Sequence, residues 1–315
     1  SLMAPETVKA ILDKVQTLWP QANDMEITLE ANPSSVEAGR FKGFHQAGVN
    51  RVSMGIQALN DDDLRRLGRI HTVQDAMTAF DIARHEFDRV SFDLIYARQD
   101  QSLDQWQREL RQALSMAIDH LSLYQLTIEQ GTAFGDRYNR GRLRGLPSDD
   151  TAADMYLATQ DICADFDMPA YEVSNHAKIG SESRHNLIYW RYGDYIGIGP
   201  GAHGRLTLDG QRHATESHLQ PNVWLDAVRN GTGDSSVVPV DPVDQGAEYL
   251  LMGMRINQGI SLSRYTAITG QHISTSVLSE LKDLGMIVVD QDNLKTTQQG
   301  RSILNAILDK LLLDQ

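Results

Sequence analysis

From Arg184 to Gly204 the chain reads RHNLIYWRYGDYIGIGPGAHG, a set of residue types that could hold a flat ligand. Gly197, Gly199 and Gly201 alternate through GIGPG, so the backbone there carries little side-chain cover and can be approached closely. Just upstream, His185 and Asn186 set a metal-capable imidazole beside the aromatic faces of Tyr189 and Trp190. Such a surface suits an adenine or a porphyrin. A buried strand and turn with ordinary aromatic packing is the competing reading of the same residues.

Four more polar side chains fall where strands of a parallel barrel would end. Glu30 follows EITL, and a carboxylate there can accept hydrogen bonds from ribose hydroxyls or an amino group. Gln57 follows SMGI and can both donate and accept. Arg69 can hold a carboxylate through its fork of donors. Asp93 sits inside SFDLIY, a segment otherwise dominated by apolar residues, where a carboxylate needs a partner or a ligand. Singly, each has an ordinary explanation: a helix cap for Glu30, a turn hydrogen bond for Gln57, a surface ion pair for Arg69. Together, on successive units, they favour a polar ligand with amino and carboxylate groups.

The elements that must position them follow a repeating rhythm. Residues 5–19 carry an apolar helical stripe with Pro5 in the first turn. Strands are expected at EITLEA (Glu26–Ala31), RVSMG (Arg51–Gly55), RVSFDLIY (Arg89–Tyr96) and HLSLYQLTI (His120–Ile128). Between them lie helices that Ser35 and Thr72 can cap, and another around Leu103–Met116. Strands alternating with helices indicate parallel βα units, hence an α/β fold and a (β/α) barrel or part of one. A helix over Ser148–Phe166 and a strand near AYEVS follow. SSVVPVDPVDQ (Ser235–Gln245), with two prolines, reads as a linker. The domains expected are therefore 1–234, the barrel with its extension, and 235–315, a helical domain whose helices and small β-wing make a winged-helix pattern.

Bulk properties narrow the function. The net charge of −13 argues against a nucleic-acid or anionic-membrane surface. In the last domain Lys282, Lys295 and Arg301 are offset by Glu280, Asp283, Asp290 and Asp292, which favours a docking role over DNA binding. Arg65, Arg66 and Arg69 form a short basic cluster that also reads as a solvated helix face. No apolar run approaches the roughly 20 residues that cross a bilayer, and residues 1–19 lack the pattern of a secretory signal, so a cytoplasmic protein is expected. Cys163 is the single cysteine. It falls in an apolar helical pattern as a core thiol, forms no internal disulfide, and cannot hold a cluster alone.

EITLEANPSSVE, GVNRVSMGIQALNDDDLRRLGRIHT, FDLIYA, HLSLYQLTIEQGTAF, YEVSNHA and RHNLIYW with GDYIGIGPGAHG together resemble the radical S-adenosylmethionine proteins once grouped as oxygen-independent coproporphyrinogen III oxidases. The resemblance runs over essentially the whole chain. HNLIYW and YQLTIE are more similar to the HemW-type haem chaperones than to the coproporphyrinogen dehydrogenases. The family implies a partial (β/α)6 barrel of the radical SAM type and a small C-terminal winged-helix-like domain. Family members begin with a CxxxCxxC loop for a [4Fe–4S] cluster, and a GGGTPS turn follows their second strand. Neither is present here, except that Ser1 matches the last residue of that turn. The expectation is a member missing its first two strands, with no catalytic residues in this chain and the cluster belonging to the full-length protein alone. After Tyr96, ARQDQS stands where the family has GLPGQT.

Carried over by motif, Glu30 contacts the S-adenosylmethionine held at the cluster and His203 lies along its adenine. Gln57, Arg69 and Asp93 match positions that bind a second S-adenosylmethionine, with Thr127 near by. His185 matches the histidine associated with haem. The resemblance thus implies a protein that binds haem and S-adenosylmethionine and delivers haem to acceptor proteins. The alternatives are a coproporphyrinogen III oxidase of porphyrin biosynthesis and a cluster-free small-molecule binding barrel. An open barrel would leave an unpaired edge at EITLEA, through which a dimer is expected.

Overall fold

The computed structural model describes residues 2–34 and 38–313, which form two compact units dividing between Glu182 and Ser183. In the first unit, α1 (Pro5–Leu18), β1 (Thr28–Ala31), α2 (Phe41–Ala47), β2 (Arg51–Gln57), α3 (Asp61–Arg66), α4 (Val73–Glu86) and β3 (Arg89–Tyr96) follow in order. Then come α5 (Leu103–Met116), β4 (His120–Gln125), α6 (Ala133–Asn139), α7 (Asp149–Asp165) and β5 (Asn175–Ala177). The five strands make one sheet in sequence order. The pairings from β1 to β4 are parallel, whereas β5 runs antiparallel to β4.

The two faces of this sheet differ in kind, because strand side chains alternate. Leu29, Val52, Met54, Ile56, Val90, Phe92, Leu94, Leu121 and Leu123 point one way, into a core shared with helix residues such as Phe41, Phe44, Phe80, Trp106 and Leu110. The residues between them are polar: Thr28 and Glu30, Arg51 and Ser53, Arg89, Ser91 and Asp93, His120 and Ser122. The in-step parallel register aligns Glu30 with Ser53, and Asp93 with Ser122. A parallel sheet in a soluble protein is usually apolar on both faces. This one reserves a face for polar chemistry.

Capping holds the helices in place. Thr72 and Asp75 make a reciprocal capping box at α4, Ser102 and Gln105 make another at α5, and Ser148 caps α7. Ser35, expected to cap a helix, lies outside the described residues, as does Ser1. Four expected strands differ in their limits: β1 begins at Thr28 rather than Glu26, and β2 runs to Gln57 rather than Gly55. β4 ends at Gln125 rather than Ile128, and AYEVS forms bends, the strand being the next three residues, Asn175–Ala177. The bends let Glu172 Oε1 accept from Ser174 N at 2.8 Å, a local bond that competes with a ladder.

In the second unit, α8 (Arg184–Trp190) precedes β6 (His203–Leu208), β7 (Gln211–Ser217), α9 (Pro221–Arg229) and β8 (Asp234–Pro239), an antiparallel β6–β7–β8 meander. The segment expected as a linker is therefore partly strand: Val237 and Val238 pair with Thr215 and Ala214. β-branched residues fit a pleated surface, and this outweighed the two prolines. Next come α10 (Pro242–Gly253), β9 (Ile260–Ser261), α11 (Leu262–Thr269), α12 (Thr275–Asp283), β10 (Ile287–Asp290), β11 (Asn293–Thr296), α13 (Gln298–Ser302) and α14 (Leu304–Leu313). Helices α10 to α12 followed by the β10–β11 hairpin give the helical, winged arrangement read from the sequence. No helix is long and apolar enough to cross a membrane among the described residues.

Candidate functional site

A cavity of about 510 Å³ opens on the polar face of the first unit's sheet, at the carboxyl ends of the strands. Glu30, Gln57, Arg69 and Asp93 all line it. Four residues read from scattered segments therefore meet in one place. The sequence reading missed Ser53, Gly55, Ser122 and Tyr124, which share the lining. Their signal was the period of two: each stands two residues from another member of the polar face.

Asp93 and Gln57 are coupled. Gln57 Nε2 donates to Asp93 Oδ2 at 2.6 Å. Gln57 reaches it from a left-handed backbone conformation, φ 77°, where the β2–β3 register shifts between Met54 and Gln57. A side chain normally avoids this region, so the bulge re-aims Gln57 at a backbone cost of order 1 kcal/mol or more. Gly55 makes room: a Cβ there would lie 3.0 Å from Gln57 Nε2 and 3.7 Å from Asp93 Oδ1. Burial pushes the Asp93 carboxyl up to about 7, the Gln57 hydrogen bond opposes this, Glu30 adds to it and Arg69 opposes it. The site thus holds two carboxylates and one guanidinium around a pocket, a donor set suited to an amino acid moiety.

Below the cavity, toward the amino ends of the strands, the polar face closes on itself. Arg51 Nη2 donates to Ser91 Oγ at 2.9 Å, and Arg89 pairs with Glu26 at 2.7 Å and Asp119 at 3.0 Å. His120 Nε2 meets the Tyr171 hydroxyl at 2.9 Å. Burial, with Arg51 and Arg89 near by, holds His120 well below the usual imidazole range. This layer is structural; the ligand space lies above it.

Thr127 is exposed, past the end of β4, and does not line the cavity. The other two candidates lie in the second unit. His203 opens β6, exposed, with Nδ1 3.8 Å from Glu216 Oε1. His185 is exposed in the first turn of α8 and stands edge-on to Tyr189 at 4.8 Å, which in turn meets Tyr195 at 4.4 Å. Trp190 instead lies under the Arg255 guanidinium, 4.7 Å from its ring centre.

The glycines of GIGPGAHG serve a turn. A Cβ on Gly197 would fall 2.2 Å from the His203 carbonyl oxygen, and Gly199 and Gly201 have φ 119° and 72°. Close approach is required there, as read from the sequence, but at Gly197 the partner is the chain's own backbone.

An iron–sulfur cluster finds no fit in this chain. A cube needs several thiolates, and the single cysteine, Cys163, is buried in α7, with burial pushing its thiol up to about 12. Among the described residues no three His, Cys, Asp or Glu side chains are placed to hold a metal. The cavity of the first unit instead offers the guanidinium of Arg69 and the carboxyl groups of Glu30 and Asp93 to a small polar ligand.

Comparison with known proteins agrees in outline. Residues 2–113 match the model of the Radical SAM superfamily, and residues 240–303 match the HemN C-terminal domain. The Radical S-adenosyl methionine domain-containing protein 1, mitochondrial, of Danio rerio is 36% identical over 326 residues, covering 100% of this chain and 73% of that protein. Heme chaperone HemW of Escherichia coli (strain K12) is 36% identical over 318 residues, covering 100% of this chain and 82% of its own. HemW of Bacillus subtilis (strain 168) is 32% identical over 315 residues, covering 98% and 82%. The solved structure of coproporphyrinogen III oxidase (HemN) from Escherichia coli, described as a radical SAM enzyme, superposes with a TM-score of 0.79 at 16% identity, over 99% of this chain and 75% of that one. That likeness shows the fold.

Proposed function

The chain belongs to the radical SAM superfamily, on its HemW-type branch, and from that premise we propose that it binds haem and S-adenosylmethionine and delivers haem to acceptor proteins. The observation that carries the haem reading is His185, exposed at the start of α8 with an aromatic edge behind it. An imidazole is a good iron ligand, and Tyr189 with Tyr195 supplies an apolar surface beside it. S-adenosylmethionine occupies the cavity of the first unit in this reading. Arg69 holds the carboxylate of one molecule and Asp93, steadied by Gln57, receives its donors, while Glu30 meets the molecule that the resemblance places at the cluster. Thr127 and His203 are exposed and lie outside the cavity lining.

S-adenosylmethionine bound at a cluster would supply radical chemistry; the residues of this chain account for binding and orientation. A reducing, cytoplasmic setting suits the lone Cys163. β1 borders the five-stranded sheet, and a second copy pairing along it is the dimer this reading expects, measurable by sedimentation.

The deciding experiment is a haem titration of the wild type against His185→Ala, followed in the Soret band, with circular dichroism confirming that both are folded. The reading expects stoichiometric binding by the wild type and loss of the coordinated spectrum in the variant. Equal spectra and affinities would remove His185 as the ligand.

A further inference from the structure

Ser122 lines the cavity with Asp93 as its register partner on β3. Its hydroxyl could in principle donate to a ligand or accept from one. The side chains beneath it decide which. Ser122 Oγ donates to Asn175 Oδ1 at 2.5 Å, and Asn175 Nδ2 donates to Glu172 Oε1 at 2.5 Å. Glu172 is 0% exposed and Asn175 4%. The orientation of the Asn175 amide is fixed by its surroundings. The same Glu172 oxygen also accepts from Ser174 N at 2.8 Å, so a carboxylate faces the amide and the Asn175 nitrogen must turn toward it. The Asn175 oxygen then faces Ser122, and the serine proton is committed. Only lone pairs remain, and the Tyr124 hydroxyl, which also hydrogen-bonds Ser122, shares them with the cavity.

We propose that Ser122 is a ligand contact of this cavity, held as a hydrogen-bond acceptor by the buried Asn175–Glu172 pair, so that the donor-bearing, positively charged part of the ligand lies on the β3–β4 side. This rests on the reading of the cavity as a site for S-adenosylmethionine. The neighbours point the same way. Asp93 accepts from Gln57 and offers its other oxygen, and Glu30 is a second carboxylate across the floor. Arg69 is the cationic side chain of the lining, so the ligand carboxylate lies on its side. The YEVSN segment thereby gains a function: it bends so that Glu172 and Asn175 reach under β4, and Asn175 is a positioning residue acting through Ser122.

The test is a double-mutant cycle read by calorimetric titration with S-adenosylmethionine, using the 315-residue chain. Ser122→Ala should weaken binding about five- to tenfold, the loss of one hydrogen bond to a charged group. Asn175→Ala, which touches no ligand, should weaken it by a comparable factor, because the freed serine proton then points at ligand donors. In the Ser122→Ala background the second substitution should change nothing further. Asn175→Leu stands in where Asn175→Ala does not fold. Additive losses, or wild-type binding by a folded Asn175→Ala protein, would overturn the inference while leaving the cavity reading intact. A wild type that binds no S-adenosylmethionine would sink both.

Discussion

The amide of Gln57 is hydrogen-bonded to the carboxylate of Asp93 at 2.6 Å, across two neighbouring strands, from a backbone at φ 77°. The strained conformation and the bond belong together. A regular continuation of β2 would not aim Gln57 at Asp93, and without a donor there the carboxylate would lose a group that favours its charged form.

Asp93 should make stability fall as pH rises. Its folded pKa, about 7, lies above the ordinary aspartate value, so the folded state binds the proton more tightly than the unfolded state. The stabilisation is complete below about pH 4 and is lost as pH rises through 7. Between pH 5 and 8 the loss is at most about 2–3 kcal/mol. Denaturant titrations of the wild type and Asp93→Asn across this range should converge at low pH, with the variant the more stable at pH 8. Parallel curves would show that Asp93 ionises normally.

The loop after β3 should gain from glycine. Ala97 and Asp100 hold φ 56° and 58° at the two positions where the resembling family has glycine. Asp100 is retained by contacts: its carboxylate pairs with Arg66 at 3.1 Å and its N–H donates to Gly145 O at 2.6 Å. Ala97 has no comparable polar side chain. Ala97→Gly should therefore stabilise the chain by about 0.5 kcal/mol, the relief of left-handed strain exceeding the added freedom of the unfolded chain. Gly145→Ala should do the reverse, because a Cβ at φ 78° would lie 2.1 Å from Asp100 Oδ1. Thermal melts of the two variants check the opposite signs.

The same loop buries an arginine. Arg98 pairs with Glu109 at 2.6 Å and with Asp63 at 3.0 Å, its side chain 5% exposed. Removing Glu109 takes away the shorter of two ion pairs in a desolvated place and leaves Arg98 with Asp63 alone. Glu109→Gln should cost about 3 kcal/mol, far more than breaking an exposed pair such as Lys9–Asp13. Chemical denaturation of the two variants would expose a misjudged burial if the losses were alike.

In the second unit, Gly197→Ala should destabilise by about 2–4 kcal/mol, since the obstructing atom is the His203 backbone and cannot rotate away. Gly199→Ala meets open space and suffers the strain of its φ alone. Amide exchange at Tyr195 and Arg205, which bond each other across this turn, would report the difference locally.

The sequence by itself determined the alternating strands and helices, the cap at Thr72, and the four polar residues that belong to one cavity. These are local or periodic properties. Val52, Met54 and Ile56 against Ser53, Gly55 and Gln57 already state which face is which, because side chains alternate along any strand. It also carried the family resemblance, which depends on motifs rather than on contacts. What only the tertiary structure decided is long-range. Asn175 and Ser122 are separated by 53 residues, and no spacing rule connects them. The Gln57 conformation depends on a register shift against β3, a relationship between two strands that neither strand encodes alone. The glycines after Tyr195 signalled close approach, but whether the approaching partner was a ligand or the chain itself awaited the fold. Arg98, in a polar stretch after β3, is the buried centre of an ion-pair cluster. In each case the deciding quantity is burial or direction of a hydrogen bond, and both come into existence only when distant segments exclude water together.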